Sequence, residues 1–207
     1  MAKKVRASFE RSVQLNSRNG RAASALGEFY IAAPALIGGG LDKAERLAAE
    51  VQPYSPSDAH RLLAMIAEKK KDMGRAEAEF KLAVTVGRTP DAWVDLGNFY
   101  RREGQPDKAV AALQSALEAD RAHDAALVDI ASILGDAHRS PDLAQKVLRL
   151  YLASSAKSEA APAFKVHVQL GQLLAQRGDS AGARQEYEAA LALASSYAPA
   201  RTAIQRL

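Results

Sequence analysis

Cysteine is absent from the 207-residue chain, which excludes a disulfide framework, a thiolate metal site and a catalytic thiol. The redox compartment stays open, because a disulfide-free protein is stable in either setting. Proline and glycine are sparse, eight and thirteen, and aromatic residues make up only 6%. Neither sign of charge dominates: 28 Lys and Arg stand against 24 Asp and Glu, a net of +4. The charges interleave, apart from the basic N-terminal stretch and "EKKKD" at Glu68–Asp72, so the surface is mildly basic rather than a nucleic-acid tract. No apolar run approaches the roughly 18 residues that span a bilayer. The opening "MAKKVRASFERSVQLNS" is a charged amphipathic helix without the apolar core of a signal peptide. A leader further upstream stays open, and with it a cytoplasmic or a periplasmic location. What remains is 48% hydrophobic and rich in alanine and leucine, which lose little side-chain entropy in a helix. The expected class is all-α.

The chain repeats itself. In "PDAWVDLGNFYRREGQPDKAVAALQSALEADRAH", Pro90–His123, Trp93, Leu96, Gly97 and Tyr100 fall on one face of a first helix. Ala109, Leu113, Ala116 and Leu117 fall on one face of a second, with Gly104, Pro106 and Asp107 at the turn between them. The pattern returns as His167, Leu170, Gly171 and Leu174, then Gly178 and Asp179, then Ala183, Tyr187, Ala190 and Leu191. Weaker copies run through His60, Leu63, Ala64, Ala67, Ala76, Phe80 and Ala83, and through Leu127, Ile130, Ala131, Leu134, Ala144, Leu148 and Tyr151. The small residues Gly97 and Ala109, Gly171 and Ala183, and Ala64 and Ala76 sit where paired helices must approach most closely, while Trp93, Tyr100, Leu113 and Tyr187 fill the remaining space.

These residues resemble the tetratricopeptide repeat, a helix-turn-helix unit with a large residue, Leu-Gly, Tyr, Ala, Phe and Ala at fixed offsets. Pro90–His123 departs from it in Leu113, where an aromatic is common, and Arg121, where proline is common. The resemblance implies an α-solenoid, a right-handed superhelix of stacked antiparallel helix pairs, because one pair cannot bury its apolar face alone. Five repeats are expected over about 20–54, 55–88, 89–123, 124–157 and 162–197 in a single domain, with a half repeat over 1–19 and a capping helix starting in 198–207. In the half repeat, Val5, Phe9 and Ser12 stand where a second helix has Ala, Phe and Ala. Such ends fit a domain of a larger protein or a trimmed array.

The glycine run in "APALIGGGLDKA", Ala33–Ala44, admits two readings. A phosphate-cradling P-loop needs Gly, four residues, then Gly-Lys-Ser/Thr between a strand and a helix. Here Ala44 follows Lys43 and no strand precedes. Ala23, Leu26, Gly27 and Tyr30 upstream occupy first-helix positions, and Ala44, Ala48 and Val51 downstream occupy second-helix positions. The insert is therefore an inter-helix turn about five residues longer than that of the Pro90 copy, in which Pro34 ends one helix, the glycines supply positive φ and Asp42 caps the next. Ser55-Pro56, Thr89-Pro90 and Ser140-Pro141 read as cap residues followed by proline at the first helical position. Successive second-helix alanines, Ala44, Ala76, Ala109, Ala144 and Ala183, lie 32, 33, 35 and 39 residues apart. The widest gap holds "ASSAKSEAAPA", Ala153–Ala163, where a bend or hinge is expected.

No catalytic constellation stands out. His60 and His167 occupy the position of Trp93 and read as packing residues; with His123 and His138 they form no metal-binding spacing. No cofactor is expected. The resemblance implies partner contacts on the first helices, which line the concave groove: Arg21, Ser24 and Glu28; Asp58, Arg61, Met65 and Lys69; Asp91, Asn98, Arg101 and Arg102; Lys165 and Gln172. Arg61, Lys69, Arg101 and Arg102 beside Asn98 suit an extended peptide that is acidic or carries a free carboxylate. Val128 and Ser132 of the fourth repeat do not continue such a clamp, and pairing of these arginines with neighbouring acids is the even alternative. The expected function is a non-catalytic protein-interaction scaffold. The other readings are the non-catalytic arm of a larger transferase, an RNA-binding basic groove, which the scarce aromatics oppose, and self-association through terminal helices.

Overall fold

The structure, a computed structural model, describes residues 2–207. Among them are twelve α-helices: α1 (Ala2–Leu15), α2 (Gly20–Ala32), α3 (Leu41–Val51), α4 (Pro56–Lys69), α5 (Met73–Gly87), α6 (Pro90–Arg102), α7 (Pro106–Ala119), α8 (Ala126–Asp136), α9 (Pro141–Ala153), α10 (Ala163–Gln176), α11 (Ser180–Leu193) and α12 (Ala198–Gln205). The fold is the all-α solenoid of helix pairs that the repeats predict. Helix α1 falls in the range 1–19 expected of a half repeat, of which Met1 lies outside the described residues. Two compact units divide the chain, 1–99 and 100–207, and the division falls within α6.

Four pairs turn in the same way. Lys71, Gly104, His138 and Gly178 hold the left-handed conformation, with φ of 62°, 67°, 50° and 82°. The N–H of the following residue reaches back to a carbonyl of the first helix: Asp72 to Ala67, Gln105 to Tyr100, Arg139 to Leu134 and Asp179 to Leu174, at 2.9–3.1 Å. Asp72 and Asp179 then cap the next helix through the N–H of Arg75 and Gly182.

The glycine run is a turn, as expected, but its cap differs. Ala33 follows the last residue of α2, Pro34 is extended, and Ala35–Ile37 forms one 3-10 turn. Gly38 and Gly40 have φ of 99° and 145°, and a side chain on Gly39 would run into the Ala33 carbonyl. Gly40, not Asp42, is the N-cap of α3; Asp42 lies inside the first turn and accepts from Arg46 at 3.1 Å. Lys43 donates to the Gly38 carbonyl at 2.9 Å and so closes the loop rather than facing an anion. Of the three Ser/Thr-Pro starts, only Thr89 caps with its side chain, accepting from the Ala92 N–H at 3.3 Å. The Ser55 hydroxyl instead donates to Asp58, and Ser140 is left-handed.

In the first unit, Leu26, Leu47, Val51, Leu62 and Ile66 form a core from α2, α3 and α4, and Phe80 and Phe99 pack as a tilted ring pair at a centroid distance of 5.3 Å. Phe9 and Val13 of α1 pack on that core, whereas Val5 and Ser12 are exposed. The expected Val5–Phe9–Ser12 face therefore keeps only its aromatic, because α1 turns toward α2 and no described helix covers the other side. In the second unit, Leu113, Leu127, Ile130, Leu134, Leu148 and Leu170 are buried, and Tyr187 closes on Gly171, where a Cβ would lie 2.5 Å from the ring. Ala200 of α12 is buried, and Tyr197 meets Phe164 edge-on at 4.8 Å. The connector after α9 is more constrained than its composition suggests. Buried Tyr151 donates its hydroxyl to the Ala161 carbonyl at 2.6 Å and accepts the Ser158 N–H at 3.1 Å, so both arms of the loop are tied to one ring.

Candidate functional site

First helices carry the predicted contact residues, and the two units arrange them differently. In the first unit, α2, α4 and α6 present a chain of charge-assisted bonds. Arg61 donates through Nη1 to Glu28 Oε1 and through Nε to Asp95 Oδ2, each at 2.6 Å. The Arg61 and Asp95 side chains are only 23% and 26% exposed. Burial disfavours charge on Arg61, but Asp95 and Glu28 more than offset it, so the guanidinium pKa is raised. Burial likewise pushes the Asp95 carboxyl above its usual range, and Arg61 opposes that shift without cancelling it. A second set lies nearer the helix starts: the Asp58 carboxylate accepts from Ser24 at 2.9 Å and from Ser55 at 2.5 Å. Gly20 leaves the room those groups occupy.

The second unit has an open groove of about 650 Å³ instead. Its floor is Ala131, Ala144, Leu148 and Leu173, and its walls carry Ser132 and Gly135 of α8 and Gln169, Gln172 and Gln176 of α10. Arg101, Asp136 and His138 stand at its rim, with Arg101 Nη1 3.8 Å from Asp136 Oδ2. Gln169 donates to the Ser132 hydroxyl at 3.0 Å.

The predicted residues thus separate. Glu28 and Arg61 join each other and Asp95, which breaks the expected positive stripe at its centre. Met65 is half-buried against the core of the first unit. Lys69 and Asp91 are exposed at opposite ends of their helices, Asn98 is half-buried and Arg102 exposed. Arg101 and Gln172 meet at the groove, while Lys165 is exposed in the first turn of α10. Asp95, Gly135, Gln169 and Gln176 were missed. The glutamines were legible as an i, i+3, i+7 stripe in "QLGQLLAQ".

His60 and His167 lie half-buried between paired helices, as packing residues do, but each also meets a carboxylate: Nδ1 is 2.8 Å from Glu79 and 2.7 Å from Glu186. Among the described residues no group of three His, Asp or Glu side chains is placed to hold a metal, and no helix is long and apolar enough to cross a membrane.

Two family models, both described as tetratricopeptide repeat, match residues 90–133 and 164–197. No curated protein matches the chain. Among solved structures, YrrB, described as a TPR protein with an unusual peptide-binding site, is similar at a TM-score of 0.59 and 16% identity over 96% of this chain and 98% of YrrB. Yeast Tom70 is similar at 0.66 and 19% identity, over 97% of this chain and 42% of Tom70. Human IFIT1, as a dimer with m7Gppp-AAAA, is similar at 0.60 and 17% identity, over 96% and 47%.

Proposed function

Because this chain is an array of tetratricopeptide repeats, a scaffold of the protein-interaction type, we propose that it binds a segment of a partner protein on its first helices, without catalysis. The observation that carries this reading is the groove between α8 and α10, where polar side chains and an apolar floor face solvent together. YrrB, with its peptide-binding site, is a precedent for such use of the fold. An acidic partner has less support than the sequence suggests. Arg61 is already held by two carboxylates and Arg101 stands beside a third. The first unit then serves as the rigid part of the scaffold and the second as the receiving part.

The test is site-specific photocrosslinking in a lysate, with benzoylphenylalanine at Gln172 on α10 or at Leu82 on the exposed side of α5. Partner bands from Gln172 and none from Leu82 are expected. Bands only from Leu82, or none from either position, refute the reading; a crosslink of the chain to itself identifies a second copy as the partner.

A further inference from the structure

Gly135 is a glycine that the fold does not use. Most other glycines hold off a neighbour, as Gly27 does for Leu62 and Gly171 for Tyr187, or take positive φ, as Gly38, Gly104 and Gly178 do; Gly74, in the first turn of α5 and away from the groove, does neither. Gly135 lies in α8 with no positive φ, and a Cβ there would meet nothing within 4 Å. Glycine in a helix is disfavoured against alanine by backbone entropy, so its presence here lacks a packing reason. It borders the groove, where the missing side chain bares the main chain of α8.

The opposite wall has matching chemistry. The side-chain amides of Gln172 and Gln176 make no hydrogen bond to any described residue. A carboxamide both donates and accepts, so it pairs with either half of a peptide group without needing charge. Four residues of helix advance about 6 Å, and two residues of extended chain advance about 6.6–6.8 Å. Amides at Gln172 and Gln176 therefore keep step with alternate peptide groups of a strand laid along α10. The floor of Ala131, Ala144, Leu148 and Leu173 takes a small apolar side chain, and Arg101 and Asp136 largely offset each other at the rim.

We propose that this groove receives an extended, uncharged peptide segment whose main chain lies against Gly135 and pairs with Gln172 and Gln176. The proposal rests on the reading that first helices bind a partner segment, and it names the chemistry of that segment.

The experiment is selection of a phage-displayed library of random twelve-residue peptides on the immobilised full chain. The peptide most enriched is then synthesised and titrated against variants shown to be folded by circular dichroism. Uncharged peptides with small apolar residues are expected. Their binding should weaken about tenfold or more in Gly135→Leu and in Gln172→Ala/Gln176→Ala, and stay unchanged in Leu82→Ala on the exposed side of α5. Should Gly135→Leu fail to fold, Gly135→Ala replaces it, since its added methyl touches nothing. Acidic peptides that depend on Arg102, or any enriched peptide indifferent to the Gly135 and glutamine variants, overturn the proposal and leave the broader reading standing. No enrichment at all overturns both.

Discussion

The first-helix faces of the two units are put to opposite use. In 1–99, residues 33 and 34 apart, Glu28, Arg61 and Asp95, meet as opposite charges and saturate one another. In 100–207, Ser132 and Gln172 stand at the repeat position of Glu28, Gln169 stands at that of Asp95, and valines, Val128 and Val168, stand at that of Arg61, so the space beside these neutral side chains stays open. A half-buried charge without a partner is costly, so a ladder of charges must close on itself. A carboxamide at a solvated wall tolerates waiting for a partner, because water satisfies it meanwhile. Saturated pairs set helix spacing, and neutral amides leave a surface that still has bonds to make.

The largest expected effect comes from breaking the saturated face. Arg61→Met leaves Asp95 half-buried and unpaired and should cost about 2–3 kcal/mol, measured by urea unfolding. Gln172→Ala in the other unit should stay within about 0.5 kcal/mol. The loss in Arg61→Met is greatest at neutral pH. Burial already raises the Asp95 carboxyl in the folded state, and without Arg61 nothing opposes it. The folded protein then binds a proton that the unfolded chain releases, so stability recovers as pH falls toward the usual carboxylate range. Equal losses in the two variants would erase the distinction between the faces.

Glycines sharpen the same contrast at smaller scale. A Cβ on Gly27 would collide with Leu62 in the core of the first unit, so Gly27→Ala should cost about 1–3 kcal/mol through overpacking. Gly135→Ala, with nothing to strike, should instead raise stability by up to about 1 kcal/mol. Thermal melts of the two variants should therefore move in opposite directions.

Helix pairing was legible because it depends on residues close in sequence. Gly171 and Ala183 mark their own closest approach, and Gly104 and Gly178 announce a left-handed turn residue. What joins one repeat to the next was less legible. Whether Arg61 is free or paired, and with which acids, is open until the register between α2, α4 and α6 is known, and repeats of unequal length hide that register. The histidine pairs left a trace that only superposed repeats expose: His60 to Glu79 and His167 to Glu186 are both 19 residues apart. Asp42 looked like a cap because it precedes an apolar pattern, but Gly40, with a φ that L side chains rarely adopt, already ends the turn. Gly135 gave no signal, since a helical glycine is informative only once its surroundings are seen to be empty.

Away from those faces the units should converge, and the turns test this with the smallest effect. Lys71 in the first unit and Gly178 in the second hold the same left-handed position, at φ of 62° and 82°. A side chain there crowds the carbonyl, at a cost of roughly 1–2 kcal/mol that glycine avoids, although glycine loses more backbone entropy on folding. Lys71→Gly should therefore gain about 0.5 kcal/mol and Gly178→Ala should lose about 1 kcal/mol, read as shifts in urea midpoint at unchanged slope. Opposite signs of similar size would show that one turn geometry serves both units and that their difference lies in the first-helix faces. A loss on Lys71→Gly would mean that the Lys71 side chain contributes to the first unit beyond its backbone, and that the units already differ at their turns.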